Sequence, residues 1–200
     1  MTTRIVFLLG GPASGKGTFC ARLAAAYPGR VTSVCPGALL REQTDPAIVE
    51  TLRDGRIVPA SVTVPLLQTA MDAWLSTEAQ RDASKCILID GFPRTVEQAQ
   101  AFEETVGRPD GLLWLDVNEA EMDRRRSERL GKDTLQGTVR SDDNAASFAK
   151  RLETYRKSTW PVLERYRADA GLVFCAVVDA AGPPDVVYRA AAAPVEDLLA

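Results

Sequence analysis

Two hundred residues make one ordinary domain, and an apolar fraction of 46% is enough for a real core. The formal net charge of −3 carries no basic excess, so a duplex nucleic-acid partner is not indicated. The chain has no histidine, which excludes histidine general bases, Ser-His-Asp triads and histidine metal sites. Any catalysis must come from carboxylates, lysine, arginine, backbone amides or a bound ion.

In chain order, the first element is an apolar strand at Ile5–Leu9. It is too short for a secretory leader and runs straight into a glycine loop; no stretch reaches membrane-spanning length. A helical stretch follows from Phe19 to Ala26, then a strand at Val31–Cys35. A helix over Val62–Glu78 aligns Leu66, Leu67, Ala70, Met71 and Trp74 on one stripe. Strands at Cys86–Asp90 and Leu112–Val117 alternate with helices at Glu97–Val106 and Glu119–Arg129. A long helix over Ala145–Ala168 carries Phe148, Leu152, Tyr155, Leu163 and Tyr166, with a bend expected at Pro161. A last strand covers Leu172–Val178. The strand runs are apolar without alternation, as in a parallel sheet buried on both faces, so an open α/β sheet is expected. Cys20, Cys35, Cys86 and Cys175 form no C-x-x-C pair and read as free thiols in a reducing compartment.

The strongest motif is Gly10-Gly11-Pro12-Ala13-Ser14-Gly15-Lys16-Gly17-Thr18, set between a strand and a helix. That is the context of a P-loop. Glycines let backbone N–H groups turn inward around a phosphate, and the helix N-terminus adds its positive end. Lys16 can reach the β- and γ-phosphates and Thr18 the magnesium shell. The general pattern puts Ser or Thr directly after the lysine; here Gly17 intervenes.

That Gly-Lys-Gly-Thr variant, with Asp90-Gly91-Phe92-Pro93-Arg94, Gly55-Arg56-Ile57-Val58-Pro59, Arg140-Ser141-Asp142-Asp143-Asn144 and Arg151-Leu152-Glu153-Thr154-Tyr155, resembles the adenylate kinase family over nearly the whole chain. The resemblance implies a P-loop five-stranded parallel sheet with flanking helices, one domain over 1–200. It also implies an inserted acceptor flap at about 36–65 and a short lid at about 131–141. It implies an ATP site at Ala13, Ser14, Gly15, Lys16, Gly17, Thr18, Arg125, Arg129 and Gly182. The matching acceptor site is Gly37, Arg41, Arg56, Ile57, Val58, Gly91, Phe92, Pro93, Arg94 and Gln98. Lys16, Arg94, Arg129, Arg140 and Arg151 would be catalytic, with Mg2+ held through water near Thr18 and Asp90. Arginine suits phosphoryl transfer, since its planar fork pairs with phosphate oxygens. Arg124 and Arg126 match nothing and read as solvated. Asp142 and Asp143 would pair with lid arginines.

Three departures stand out. Ala13 replaces a loop glycine. The acceptor helix reads Cys35-Pro36-Gly37-Ala38-Leu39-Leu40-Arg41, where the family has a hydroxyl at Pro36 and aspartate at Ala38. The lid has no cysteine, so no zinc is expected. Eight residues after Asp90 stands Gln98, as in adenylate kinases, where UMP/CMP kinases carry Asn; its amide can pair with the N1/N6 edge of adenine. The implied reaction is Mg-dependent phosphoryl transfer from ATP to AMP in a cytoplasmic monomer acting on small nucleotides. The alternatives are a UMP/CMP kinase and a non-catalytic nucleotide-binding relative.

Overall fold

The computed structural model describes residues 3–77, 84–136 and 145–200, with backbone alone for 132–136 and 145. Five strands form one parallel sheet: β1 (Thr3–Gly10), β2 (Val31–Val34), β3 (Lys85–Asp90), β4 (Gly111–Asp116) and β5 (Phe174–Asp179), in the spatial order β2-β3-β1-β4-β5. Each expected strand is present, displaced by no more than two residues at its ends.

Because β1 lies at the centre, both faces of it are covered, and its alternating side chains feed two cores. Val6 and Leu8 pack with Phe19, Cys20 and Leu23 of α1 (Lys16–Ala26) and with Ala191, Ala192 and Val195 of α9 (Pro184–Leu199). Phe7 and Leu9 pack on the other side with Val64 and Leu67 of α4 (Ala60–Leu75), Phe102 of α5 (Val96–Thr105) and Leu163 and Tyr166 of α8 (Trp160–Arg167). Phe7 meets Phe92, Phe102 and Tyr166 edge-on, at centroid distances of 5.8, 5.1 and 5.8 Å, an arrangement that adds quadrupole attraction to area burial.

Several elements differ from expectation. Helix α9 was not expected. Its apolar stripe is built of alanines and its sequence contains Pro194, which reads as a breaker; the helix runs through it. Two short helices lie in the segment where an acceptor flap was expected, α2 (Pro36–Arg41) and α3 (Pro46–Arg53). In α3, Asp45 caps the amide of Ala47 at 2.8 Å and Pro46 takes the first turn, yet no residue of it is buried. Helix α6 (Glu119–Gln136) continues past Arg129, so Gly131, where the lid was expected to begin, is still helical. Residues 137–141 of that lid, with Arg140, Asp142, Asp143 and Asn144, lie outside the described residues. The long helix expected over 145–168 is α7 (Ala145–Thr154), a π turn (Tyr155–Thr159) and α8. The irregularity precedes Pro161, which sits in the first turn of α8, where a missing N–H costs nothing. Among the described residues no helix is long and apolar enough to cross a membrane.

Candidate active site

The chain reverses its winding around β1: β3 lies on one side and β4 on the other. Ligands of open α/β sheets bind outside the carboxyl ends of the strands at such a switch point. Two loops meet there, one after β1 and one after β3. Leu8 and Asp90 are register partners, and the Gly91 amide donates to the Leu8 carbonyl at 2.8 Å, which ties the loops together.

The loop after β1 is closely fitted. Gly10 has φ 144, and a β-carbon there would lie 2.5 Å from the Leu115 carbonyl oxygen. At Gly11 it would strike the buried Met122 side chain at 2.2 Å. Gly15 (φ 98) opens α1 in the left-handed region. Ala13, with φ 59, is the one non-glycine residue of positive φ among those described, so the departure from the family's glycine falls on a position where glycine is free of cost. Ser14 is buried, while Gly17 and Thr18 are exposed at the first turn of α1.

The half-buried Lys16 folds back over this loop. Its Nζ donates to the carbonyls of Gly10 at 3.0 Å and Gly11 at 2.8 Å, and to Ser14 Oγ at 3.2 Å. Burial lowers its pKa to about 8; nearby Asp90 opposes that shift and Arg94 adds to it. A polyphosphate that takes over Lys16 must draw the pKa back up, because it favours the charged form. Well above pH 8 that proton is largely released, so a polyphosphate bound at Lys16 would take it up again. Close to one proton should therefore be absorbed on ATP binding at pH 9, and almost none at pH 6.5. Calorimetric titration in buffers of different ionisation enthalpy measures this, and Lys16→Met should remove the uptake. Equal proton release at both pH values would place the titrating group elsewhere.

The loop after β3 faces this one. A β-carbon at Gly17 would sit 3.8 Å from Asp90 Oδ2, and one at Gly91 would sit 3.8 Å from Lys16 Cε and 3.9 Å from an Arg94 guanidinium nitrogen. Arg94 Nε donates to the Gly91 carbonyl at 3.1 Å. Burial depresses the Arg94 pKa, and Arg151 and Arg41 depress it further by repulsion, against Cys35 and Asp90. Arg41 ends α2, and its guanidinium lies 3.6 Å from where a Gly37 β-carbon would be, with Cys35 Sγ at 3.8 Å. Four of the expected cations, Lys16, Arg41, Arg94 and Arg151, thus converge from four different elements on one place. Like charges held together in this way favour a strongly anionic occupant.

Other expected residues lie around this centre. Phe92 is 1% exposed and serves the core, and Pro93 follows it through a cis peptide bond. Gln98 is 4% exposed; its Oε1 accepts from the Arg94 amide at 2.9 Å and its Nε2 donates to the Val58 carbonyl at 3.0 Å. Those two bonds leave one N–H and one lone pair of the amide for a ligand. Ile57 is half-buried and Val58 buried, whereas Arg56 is exposed and paired with Asp54 at 3.2 Å. Arg56, Asp54 and Gly55 face Lys150, Glu153 and Thr154 of α7 across a cavity of about 290 Å³.

On the other flank, Arg125 bridges α6 to the loop after β5. It donates to Glu121 at 2.7 Å and to the Ala180 carbonyl at 2.7 Å, two residues before Gly182. Arg129 is one turn further along α6. Arg124 is exposed and paired with Glu121 and Glu128, as a solvated residue should be. Arg126 is not solvated: its side chain is only 14% exposed and stacks 4.9 Å from the Phe148 ring centroid, fastening α6 to α7. Met122 and Thr159 carry no sequence signal for the site, yet one floors the phosphate loop and the other touches the backbone of Arg94. In the acceptor helix, Pro36 is buried at the first turn of α2, where its ring is compatible with helix, and Ala38 points outward and is exposed. A carboxylate at 38 would therefore face away from the core.

The adenylate kinase family model matches residues 8–170 of this chain. The chain is 41% identical over 169 residues to a UMP-CMP kinase of Prunus armeniaca, covering 81% of this chain and 66% of that one. It is 38% identical over 176 residues to a UMP-CMP kinase of Sus scrofa, covering 83% and 85%. To adenylate kinase isoenzyme 1 of Homo sapiens it is 36% identical over 195 residues, covering 93% and 91%. With the phosphate loop, the sheet order and the converging cations already in place, the chain belongs to the adenylate kinase family of nucleoside monophosphate kinases.

Proposed function

We propose that this protein is an adenylate kinase, which transfers the terminal phosphoryl group of ATP to AMP and reverses the reaction from two ADP. The observation that carries the choice of an amino base over uracil is the bonding of Gln98. With Oε1 turned to the Arg94 amide and Nε2 to the Val58 carbonyl, which also accepts from the Thr63 hydroxyl at 3.4 Å, the Gln98 amide keeps one donor and one acceptor. An amino base fits that pair: one amino N–H meets the acceptor and its ring nitrogen meets the donor. Uracil would set a carbonyl against a carbonyl. Adenine and cytosine share this edge, and glutamine rather than asparagine at 98 favours adenine.

The remaining residues take roles that follow from charge and place. Lys16 and the amides of residues 13–18 hold the donor phosphates, and Arg125 and Gly182 border the donor base. Arg41 and Arg94 hold the acceptor phosphate, while Gly37, Arg56, Ile57, Val58 and Gly91 wall the acceptor pocket. Arg129, Arg140 and Arg151 neutralise the transferred group. A magnesium ion supplies charge neutralisation at the donor phosphates. Asp90 and Thr18 suit it, since Mg2+ keeps most of its shell as water and phosphate oxygen and needs few protein ligands. Among the described residues no cluster of three acidic or cysteine side chains offers a dedicated metal cage. Closing flap and lid over both nucleotides would expel water and limit hydrolysis of the donor.

A coupled assay with ATP and a panel of monophosphates tests this. AMP is expected to show the highest kcat/KM. The UMP-CMP kinases among the relatives give the second reading its weight, and CMP or UMP outcompeting AMP would replace the first with it. No turnover with any monophosphate would leave a nucleotide-binding relative without catalysis.

A further inference from the structure

The π turn at Tyr155–Thr159 joins α7, which carries Arg151, to α8, and such turns mark places where a helix is re-aimed. From Arg151 to Thr159 the chain takes eight steps. At about 100° per step an unbroken α-helix would set these side chains about 80° apart. Bonding from i to i+5 takes about 82° per step across the turn, which brings them within about 10° of each other. That places both on one side of the helix, and both act on Arg94. Arg151 acts on it through charge. Thr159, a buried polar residue at 6% exposure, donates its hydroxyl to the Arg94 carbonyl at 3.2 Å.

Arg94 is thereby held at both ends of its backbone unit. Its N–H donates to Gln98 Oε1, its C=O accepts from Thr159 Oγ1, and Gln98 passes the connection on to the Val58 carbonyl. Trp114 supports the same turn from the sheet, with ring centroids 5.6 Å from Tyr155 and 5.5 Å from Trp160. We propose that Thr159 is a positioning residue for the acceptor: through its hydroxyl, the helix that carries Arg151 sets the place of Arg94 and, through Gln98, of the acceptor base pocket. This rests on the kinase reading above.

Thr159→Val keeps the branched shape and removes the donor; Thr159→Ser keeps the donor. With AMP as acceptor, Thr159→Val should raise the acceptor KM about five- to tenfold, the loss of one neutral hydrogen bond, and leave the ATP KM within twofold. Thr159→Ser should stay within about twofold of the parent for both. A purely structural role would lower the active fraction, reducing kcat without separating the two KM values. If Thr159→Val does not fold, Thr159→Ala against Thr159→Ser gives the same contrast, since these two differ by the hydroxyl alone. An unchanged acceptor KM in a folded hydroxyl-free variant overturns the proposal and leaves the kinase reading standing. A parent protein inert toward every monophosphate overturns both.

Discussion

Lys16→Met should lose at least about a hundredfold in kcat, and more in kcat/KM, while keeping its fold. The ammonium is the one cation that the phosphate loop itself encloses, and removing a charged group aimed at transition-state charge costs about two to three orders of magnitude in comparable sites, with lost donor binding added to that. The stability side has the opposite sign. Lys16 titrates near pH 8 in the folded protein against 10.5 in its ordinary state, so the unfolded chain binds that proton more tightly. Below pH 8 both states are protonated and the penalty on the fold is fully present; stability rises as pH climbs from 8 to 10.5. Methionine fills the same space without charge, so at pH 7 the variant should melt no lower than the parent. Activity near the parent's in a folded Lys16→Met protein would remove the phosphate-loop assignment, and a sharp drop in Tm would show that the lysine's bonds to Gly10 and Gly11 outweigh its desolvation.

The second large effect concerns simultaneous occupancy. A dinucleotide with two adenosines joined by five phosphates should bind at least about a hundredfold more tightly than ATP alone, because its second end docks at an effective concentration set by the tether. It should compete with ATP and with AMP alike. The geometry behind this is the meeting of Lys16, assigned to the donor phosphates, with Arg41 and Arg94, assigned to the acceptor phosphate, and Arg151 beside them. Affinity no better than that of ATP, measured by calorimetry, would speak for one nucleotide site and against two.

How much of this could be read from residues alone varied with how local the physics is. Strands β1, β3 and β4 were legible because each is a short apolar run set between helical stretches, whereas the edge strands β2 and β5 are partly exposed and carry a weaker signal. The phosphate loop was legible because its glycines and lysine are adjacent in sequence. Helix α9 was hidden because alanines at 191 and 192 weigh little in a periodicity, although they are what lets the helix lie close on the sheet. Arg126 read as solvated because its partner, Phe148, belongs to another helix. Gln98 was legible as a candidate base reader, but its bracing of Arg94 and Val58 needed a partner forty residues away. Thr159 had no local signal at all; its hydroxyl gains meaning only when the chain folds back on residue 94.

Ala13 bears on a different question, how still the phosphate loop is before a nucleotide arrives. A glycine at that position would visit left- and right-handed backbone states about equally and would have to surrender one set on binding. Alanine is held near φ 59 by its surroundings, at an intrinsic cost of about 1–2 kcal/mol to the folded state. That cost is met once, during folding, and not again at each encounter. The ordering entropy that binding would otherwise consume is correspondingly smaller. Affinity for the donor in this chain should therefore depend less on rearrangement at Ala13 than on the lysine letting go of its own carbonyls.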